Sequence, residues 1–191
     1  MKTIHVVGDS ISLQYGPHLE AMLAGILDYS RKTGRVGNLD LADENDANGG
    51  DSGRVLRYLQ SCKAAGKNWD ILLINCGLHD VKCNDKNSRL KQVPLDQYRK
   101  NLPEIFATAK SIAGTVIWVR TTPVPDKLHN KPGMKFFRFN EDTIGYNSAA
   151  DEIAVARGIQ VIDLNSFSRN LGTDEEIFMD HVHFRPEVHR L

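Results

Sequence analysis

The sequence predicts an α/β fold, a three-layer α/β/α sandwich around a parallel sheet of about five strands. Short apolar runs typical of strands alternate with segments whose apolar residues recur every three or four positions, as in amphipathic helices. The clearest strand-like runs, residues 71–74 and 116–119, are apolar without interruption. Such runs are typical of strands covered on both faces, and therefore of a parallel sheet between two layers of helices.

The first third of the chain contains a strand, a helix, a loop and a second helix. Residues 4–7 are a β-branched run that predicts the first strand. Pro17 opens a helical pattern that continues to Leu27. The segment 34–53 is rich in Gly, Asn and Asp and is interpreted mostly as a loop, with a short strand near residues 39–41. A short helix is predicted after it.

The middle of the chain supplies the two buried strands. The strand at residues 71–74 is followed by a polar stretch, residues 82–92, which we interpret as an exposed loop. Apolar residues at helical spacing then predict an amphipathic helix over residues 95–112, which leads to the strand at 116–119.

The last third predicts a helix over residues 141–157, ended by Gly158, and a strand at residues 159–164. The final residues, 189–191, resemble the start of a helix, which suggests that a closing C-terminal helix is truncated. No repeat or linker interrupts the pattern, so we expect a single domain over residues 1–191.

Charge and composition exclude several classes of partner. Lys and Arg number 24, as do Asp and Glu, so the formal net charge is zero. A balanced chain has no overall attraction to nucleic acid or to an anionic membrane. No apolar run approaches the roughly 20 residues of a membrane span. No signal peptide is recognisable and the three cysteines are too few for a disulfide framework, so a cytoplasmic location is expected unless a leader has been removed.

Four polar clusters are candidates for the functional site. In α/β sheets, ligands bind beyond the carboxyl ends of the strands. Residues 8–10 and 77–80 follow predicted strands, residues 180–183 lie near the C-terminus, and residues 48–53 lie in the glycine-rich loop.

Ser10, Asp180 and His183 have the residue types of a nucleophilic triad. A serine nucleophile needs a base, and the base needs a carboxylate that fixes its tautomer. The Asp-x-x-His spacing lets Asp180 reach Nδ1 of His183 and leaves Nε2 free for the serine. Taken separately, Ser10 is equally typical of a helix N-cap, and the Asp-x-x-His segment of a solvated surface turn.

An oxyanion formed at Ser10 would need backbone N–H donors. The Ser10 N–H at the strand end is one candidate. A glycine in the loop is the other, because its backbone can approach a substrate closely. Gly50 fits best and Gly53 is second, although both are also typical of simple turns.

Together these residues resemble the GDSL or SGNH hydrolases, serine esterases and lipases with a flavodoxin-like α/β/α sandwich. The resemblance runs from residue 6 to about residue 186. Residues 6–12 resemble the family's first block, residues 48–52 its second, and residues 180–183 its last. The order and spacing of these short motifs carry the resemblance. It implies that Ser10 is the nucleophile of an ester hydrolase that needs no metal or other cofactor.

The third block departs from the family pattern. The family has Gly-x-Asn-Asp, whose asparagine donates to the oxyanion, whereas residues 77–80 read Gly-Leu-His-Asp. The resemblance therefore implies an oxyanion hole of Ser10, Gly50 and His79, since a neutral imidazole also donates one N–H. The alternative is a structural His79. We expect Asp80 to be a turn residue rather than a catalyst.

A basic and aromatic segment, residues 127–139, follows the strand at 116–119 and could line the substrate site through Phe137 and Arg138. Such groups suit a sugar ring or an anion, although a solvated loop with a hydrophobic anchor would have the same composition. Resemblance to small one-domain family members implies short-chain esters. We expect deacetylation of a carbohydrate first, and a lysophospholipase or thioesterase second.

Two other classes of function remain open. A metal-dependent phosphoesterase could draw its ligands from a pool of acidic and histidine side chains: Asp9, His79, Asp80, Asp180, His181 and His183. However, a phosphoesterase of this kind would require an Asp-x-His motif after the first strand, and this sequence has none there. A catalytically lapsed hydrolase fold could instead bind glycans or a protein. The sequence does not indicate an oligomeric state.

Overall fold

A five-stranded sheet forms the centre of the computed structural model, which describes residues 1–34 and 46–191. All paired strands are parallel, in the order β2-β1-β3-β4-β5. This architecture confirms the predicted fold class. The strands are β1 (Lys2–Val7), β2 (Leu27–Arg31), β3 (Trp69–Ile74), β4 (Ala113–Val119) and β5 (Gln160–Ile162).

Helices cover the sheet on both faces. On one face α2 contacts α3, and α3 contacts α5. The helices of the described residues are α1 (Ser10–Leu23), α2 (Ser52–Ala64), α3 (Leu95–Lys110), α4 (Asp126–His129), α5 (Asn140–Ala156), α6 (Leu164–Arg169) and α7 (Asp174–Ile177), followed by a 3₁₀ turn, Val188–Arg190.

Alternation along the buried strands divides the core between the two faces. In β3, Leu72 and Ile74 point into the large cluster formed with α2, α3 and α5, whereas Leu73 joins a smaller cluster with Leu19 of α1 and Leu164 of α6. Successive strand residues face opposite sides, so a run without polar residues can serve both clusters. The uninterrupted apolar run therefore has the explanation that the sequence suggested.

The first helix begins seven residues earlier than Pro17 suggested. Asp9 caps α1, and its side chain accepts a hydrogen bond of 3.0 Å from the N–H of Ile11. Pro17 lies inside the helix, which ends at Leu23. Leu27 begins the edge strand β2 and does not continue the helix. This strand was not predicted from the sequence because it is short and none of its residues is fully buried.

Other loop and cap predictions hold where the structure describes them. Gly158 has a φ of +61° directly after the last turn of α5, as a helix-ending glycine should. The loop at 82–92 is mostly exposed, but Cys83 is buried and pairs through its backbone with Phe137, with N···O distances of 2.9 and 2.7 Å. The short strand expected near residues 39–41 lies outside the described residues.

Candidate active site

Ser10, His183 and Asp180 form a continuous hydrogen-bonded chain. Nε2 of His183 lies 2.9 Å from Oγ of Ser10, and Nδ1 of His183 lies 2.8 Å from Oδ2 of Asp180. The fold thus brings the first strand end and the C-terminal segment together. The arrangement has a nucleophile, a base and an orienting carboxylate in the order that nucleophilic catalysis requires.

The serine is held at the N-terminus of α1. Ser10 is the first residue of this helix, directly after the Asp9 cap, which is buried. The positive end of a helix favours negative charge nearby. Gly8 is required at the turn because a Cβ there would lie 2.8 Å from Oγ of Ser12. The turn therefore places the N–H of Ser10 and the positive end of α1 on the same side. Both can stabilise the negative charge of an oxyanion formed at Ser10.

The carboxylate of Asp180 is fixed by its own turn. Its Oδ1 accepts hydrogen bonds of 2.8 Å from the N–H groups of Val182 and His183. Burial alone would raise the pKa of Asp180, but these N–H donors, followed by the His183 imidazole, hold it below its ordinary value. Asp180 therefore stays ionised near neutral pH and can orient His183.

The glycine loop is docked against the first strand. The N–H of Gly49 donates to the carbonyl of Gly8 at 2.8 Å, and a Cβ on Gly49 would lie 3.1 Å from that oxygen. Sequence reasoning missed this role of Gly49, although the Gly-Gly pair is a signal of close backbone approach. The contact places the loop beside the turn that carries Ser10.

Gly50 does not present the free N–H that the sequence analysis expected. It has a φ of +72°, and its N–H donates to Oδ1 of Asn48 at 2.8 Å. Gly50 can donate to an oxyanion only when this bond yields. Gly53, the second choice, lies in the first turn of α2.

Asp80 fastens the third block to the start of α2. Its two carboxylate oxygens accept from the N–H of Ser52 at 3.0 and 3.1 Å, and Oγ of Ser52 accepts from Asn101. Burial raises the pKa of Asp80 to about 8, against the hydrogen bonds from Ser52 that lower it. Its hydrogen bonds thus agree with the expected role of a turn residue.

His79 is buried beside the triad and is neutral. Burial, followed by the charges of Arg138, Lys82, Arg54 and His183, lowers the pKa of His79 to about 3. Its Nδ1 is buried and has no hydrogen-bond partner among the described residues. The ordinary titration of histidine near neutrality therefore does not apply to His79, which has one N–H to donate throughout that range.

The candidate substrate segment reaches the site through Arg138. This side chain is only 5% exposed, and its Nε donates to the carbonyl of Leu78, directly before His79. Asn130 holds the Arg138 backbone with two side-chain hydrogen bonds. Phe137 is half-buried and is tied through its backbone to Cys83.

A pair of histidines, His129 fully buried and His181 half-buried, supports the C-terminal turn. Nδ1 of His181 lies 2.7 Å from Nδ1 of His129, and their rings stack with centroids 4.7 Å apart. Burial, followed by the charge of Arg138, lowers the pKa of His129 to about 3. Sequence reasoning missed this pair because the two residues lie 52 positions apart in the chain and no local spacing relates them.

The candidate metal ligands have other contacts in this structure. Asp9 caps α1, Asp80 binds the start of α2, and His181 pairs with His129. Within residues 1–34 and 46–191, no three His, Cys, Asp or Glu side chains are grouped as a metal site would need. No helix in these same ranges is both long and apolar enough to cross a membrane.

Several solved structures share this fold. A lipase/acylhydrolase from Enterococcus faecalis superposes with a TM-score of 0.73 and 18% identity, over 99% of this chain and 90% of that one. A W215I form of Axe2, an acetyl xylan esterase from Geobacillus stearothermophilus, gives 0.65 and 14%, over 98% and 89%. The esterase EstA from Pseudoalteromonas sp. gives 0.62 and 15%, over 100% and 93%.

A comparison with curated proteins found no match. A sequence model of the GDSL-like lipase/acylhydrolase family, in contrast, matches residues 6–191. That match includes the turn at Ser10, the His79 segment and the turn from Asp180 to His183. The chain therefore belongs to the GDSL-like lipase/acylhydrolase family.

Proposed function

We propose that this hydrolase is a serine esterase that cleaves short-chain carboxylic esters, with acetyl groups on carbohydrates as its preferred substrates. The observation that carries the proposal is the hydrogen-bonded chain from Ser10 through His183 to Asp180. It supplies a nucleophile and a base already within proton-transfer distance.

The reaction proceeds by two acyl transfers. Oγ of Ser10 attacks the ester carbonyl while Nε2 of His183 takes the hydroxyl proton, and Asp180 stabilises the resulting imidazolium. The tetrahedral intermediate then expels the alcohol, which receives the proton from His183. Water attacks the acyl-Ser10 ester, again with His183 as base, and releases the carboxylic acid and the free serine.

The oxyanion of each tetrahedral intermediate is stabilised by Ser10 N–H and the side chain of His79. The Ser10 N–H belongs to the first turn of α1, where backbone donors have no partner within the helix. His79 contributes the N–H of a neutral imidazole. Gly50 joins them if its N–H leaves Asn48 when substrate binds.

The choice of acetylated carbohydrate is supported by structural likeness and by the site's composition. Axe2, which has the same fold, is described as an acetyl xylan esterase. Aromatic and basic groups of the segment at 127–139 approach the site, and such groups suit a polar, ring-shaped substrate.

A longer acyl chain, as in a lysophospholipase or an acyl thioesterase, is a second candidate. The lining of an apolar cavity of about 490 Å³ includes Ile11 and Phe184, the residues that directly follow Ser10 and His183. A cavity of this composition could hold an aliphatic chain. A series of 4-nitrophenyl esters from acetate to decanoate distinguishes the two, because the acetylesterase proposal requires kcat/KM to fall as the chain lengthens.

Substitution of Ser10 tests the proposed function directly. Ser10→Ala should lose at least about 10⁴-fold in kcat for 4-nitrophenyl acetate, as in other enzymes that lose a triad nucleophile. Labelling by a fluorophosphonate should disappear with it. Ser61→Ala, an exposed serine on α2, is the matched control and should retain both.

Circular dichroism establishes that the Ser10 variant is folded. Full activity in folded Ser10→Ala, or loss of wild-type activity on addition of EDTA, would overturn the serine mechanism. Wild-type protein that neither labels nor hydrolyses any ester in the series would favour a binding module.

A further inference from the structure

Two cations from different loops meet over one aromatic ring beside the site. The guanidinium carbon of Arg138 lies 4.9 Å from the centroid of Phe136, and Nζ of Lys82 lies 5.2 Å from the same centroid. The bridge between Cys83 and Phe137 joins the two loops and holds the cations close together. We call Arg138 and Lys82 the cationic pair.

Nothing within the described residues neutralises the cationic pair by direct contact. Neither side chain has a carboxylate within ion-pair distance in those residues, and the one side-chain hydrogen bond of Arg138 runs to a neutral carbonyl, that of Leu78. The acidic side chains that favour their charged forms act through space, Asp9 on Arg138 and Asp51 on Lys82. A buried cation without a direct partner is costly, and a bound anion would offset that cost.

The pKa values of the two side chains also show that their surroundings disfavour positive charge. Burial lowers the pKa of Arg138 to about 10. Burial, followed by repulsion from Arg138, lowers the pKa of Lys82. With a pKa of about 10, Arg138 remains protonated near neutral pH, and solvent screens its charge only partly because the side chain is buried.

The cationic pair lies on the His79 side of the triad. Nε of Arg138 donates to the carbonyl of Leu78, directly before His79, and the ring of Phe136 lies 5.9 Å from that of His181 in the turn from Asp180 to His183. The lowered pKa of His79, to which both cations contribute, agrees with this position. A group bound between the cations would therefore lie next to an ester held at Ser10. The planar guanidinium of Arg138 and the ammonium of Lys82 are both suited to anionic oxygen atoms.

We propose that Arg138 and Lys82, supported on the ring of Phe136, form a subsite for an anionic group that the ester substrate carries close to its scissile bond. This inference rests on the proposed esterase function and narrows its substrate class. The preferred substrate is then an acetylated compound with a carboxylate, sulfate or phosphate, such as an acidic sugar, in preference to a neutral one.

Two matched ester pairs test the subsite, with a carboxylate as the probe anion. The first pair, 3-acetoxybenzoate and 3-acetoxybenzamide, places the charge on the alcohol side. The second pair, 4-nitrophenyl hemisuccinate and 4-nitrophenyl butyrate, places it on the acyl side. Wild-type protein should favour the anionic member of one pair by about tenfold or more in kcat/KM, a difference of about 1.4 kcal/mol. The preferred pair identifies the side of the ester that carries the anion.

Variants assign that preference to the cationic pair. Lys82→Gln and Arg138→Gln should each bring the anionic-to-neutral ratio of kcat/KM close to one. Lys135→Gln, an exposed lysine of the same segment, is the control and should keep the wild-type ratio. The ratio cancels general losses of activity. Lys82→Gln carries the test alone if buried Arg138 proves necessary for folding, as judged by thermal melting.

Each other outcome counts against the proposal. A wild-type ratio near one in both pairs would overturn the subsite while leaving the esterase function intact. A preference that survives in Lys82→Gln would overturn its location. If no ester is hydrolysed at all, the proposed function fails, and calorimetry still tests the subsite: 3-hydroxybenzoate must then bind more tightly than 3-hydroxybenzamide, and Lys82→Gln must abolish the difference.

Discussion

The imidazole of His79 is buried and has three cations near it. Burial and the neighbouring positive charges both disfavour its protonation. With a pKa lowered to about 3 by burial, then by Arg138, Lys82 and Arg54, it is neutral throughout the working range of an esterase. A neutral imidazole resembles a carboxamide in offering a fixed N–H to a developing oxyanion. This similarity gives a physical reason why histidine can stand where the family has asparagine.

We therefore expect His79→Ala to lower kcat by roughly 10²- to 10³-fold with little change in KM, because the interaction strengthens in the transition state. His79→Asn should recover part of kcat. Steady-state kinetics on 4-nitrophenyl acetate at neutral pH gives both quantities.

The pH profile separates a donor from a titrating group. Because the pKa of His79 is about 3, the profiles of kcat for wild type and His79→Asn should have the same shape between pH 5 and pH 8. An ionisation near neutrality that is present only in wild type would contradict the assigned charge state. Unchanged kcat in His79→Ala would make His79 a structural residue and leave the oxyanion to backbone donors.

The turn that carries Asp180 and His183 is stabilised from the side by α4. His129, at the end of this four-residue helix, is completely buried against His181. His181 lies between the orienting carboxylate and the base along the chain, so its position constrains both. We infer that the histidine pair positions the turn and takes no direct part in proton transfer.

One variant at each histidine of the pair tests whether the pair only positions the turn. His129→Phe fills the same space but leaves His181 without its partner, which should cost about 1–3 kcal/mol in the free energy of unfolding. His181→Ala should reduce kcat far less than His183→Ala. Urea denaturation and steady-state kinetics measure the two effects. If His181→Ala is the more damaging change to kcat, His181 and not His183 is the base.

Side-chain contacts between residues a few positions apart could be predicted from the sequence, whereas contacts between residues distant in the chain could not. The Asp-x-x-His spacing selects His183 from the residues alone, because the carboxylate and the imidazole lie in one turn. The pair of His129 and His181 depends on the packing of α4, which no local pattern encodes. The start of α1 was misplaced because proline at a first helical position is common, although Asp9 already offers a better cap.

The sheet as a whole determines where the site forms. Parallel strands place their carboxyl ends on one edge, so the ends of β1 and β3 bring Ser10 and His79 together. The uninterrupted apolar runs in β3 and β4 were readable from the sequence and predicted a layer of helices on each face of the sheet. The edge strand β2 was missed because its first residue, Leu27, also fits the helical spacing of the apolar residues before it and was assigned to that helix.

Several ionisable groups are buried by this assembly, and they respond to pH in opposite directions. Burial raises the pKa of Asp80 to about 8, so the folded state binds a proton that the unfolded state releases, and stability rises as pH falls through 8. Burial lowers the pKa of His5 to about 4, and of His79 and His129 to about 3. Below pH 6.5 the unfolded state binds protons at these histidines that the folded state does not, and stability falls.

The free energy of unfolding should therefore have a maximum near pH 6.5, with the acid side steeper than the alkaline side. Each proton of difference changes it by about 1.4 kcal/mol per pH unit. Burial lowers the pKa of five histidines, which all act on the acid side: His5, His79, His129, His181 and His189. Asp80 acts in the opposite direction between pH 6.5 and pH 8. Asp80→Asn should flatten the alkaline side and leave the acid side at least as steep, whereas Asp174→Asn on the exposed surface of α7 should change neither. Urea denaturation at half-unit steps from pH 4.5 to pH 8.5 measures the curve. Stability that stays constant from pH 6.5 down to pH 4.5 would mean that the buried histidines keep ordinary pKa values in the folded protein.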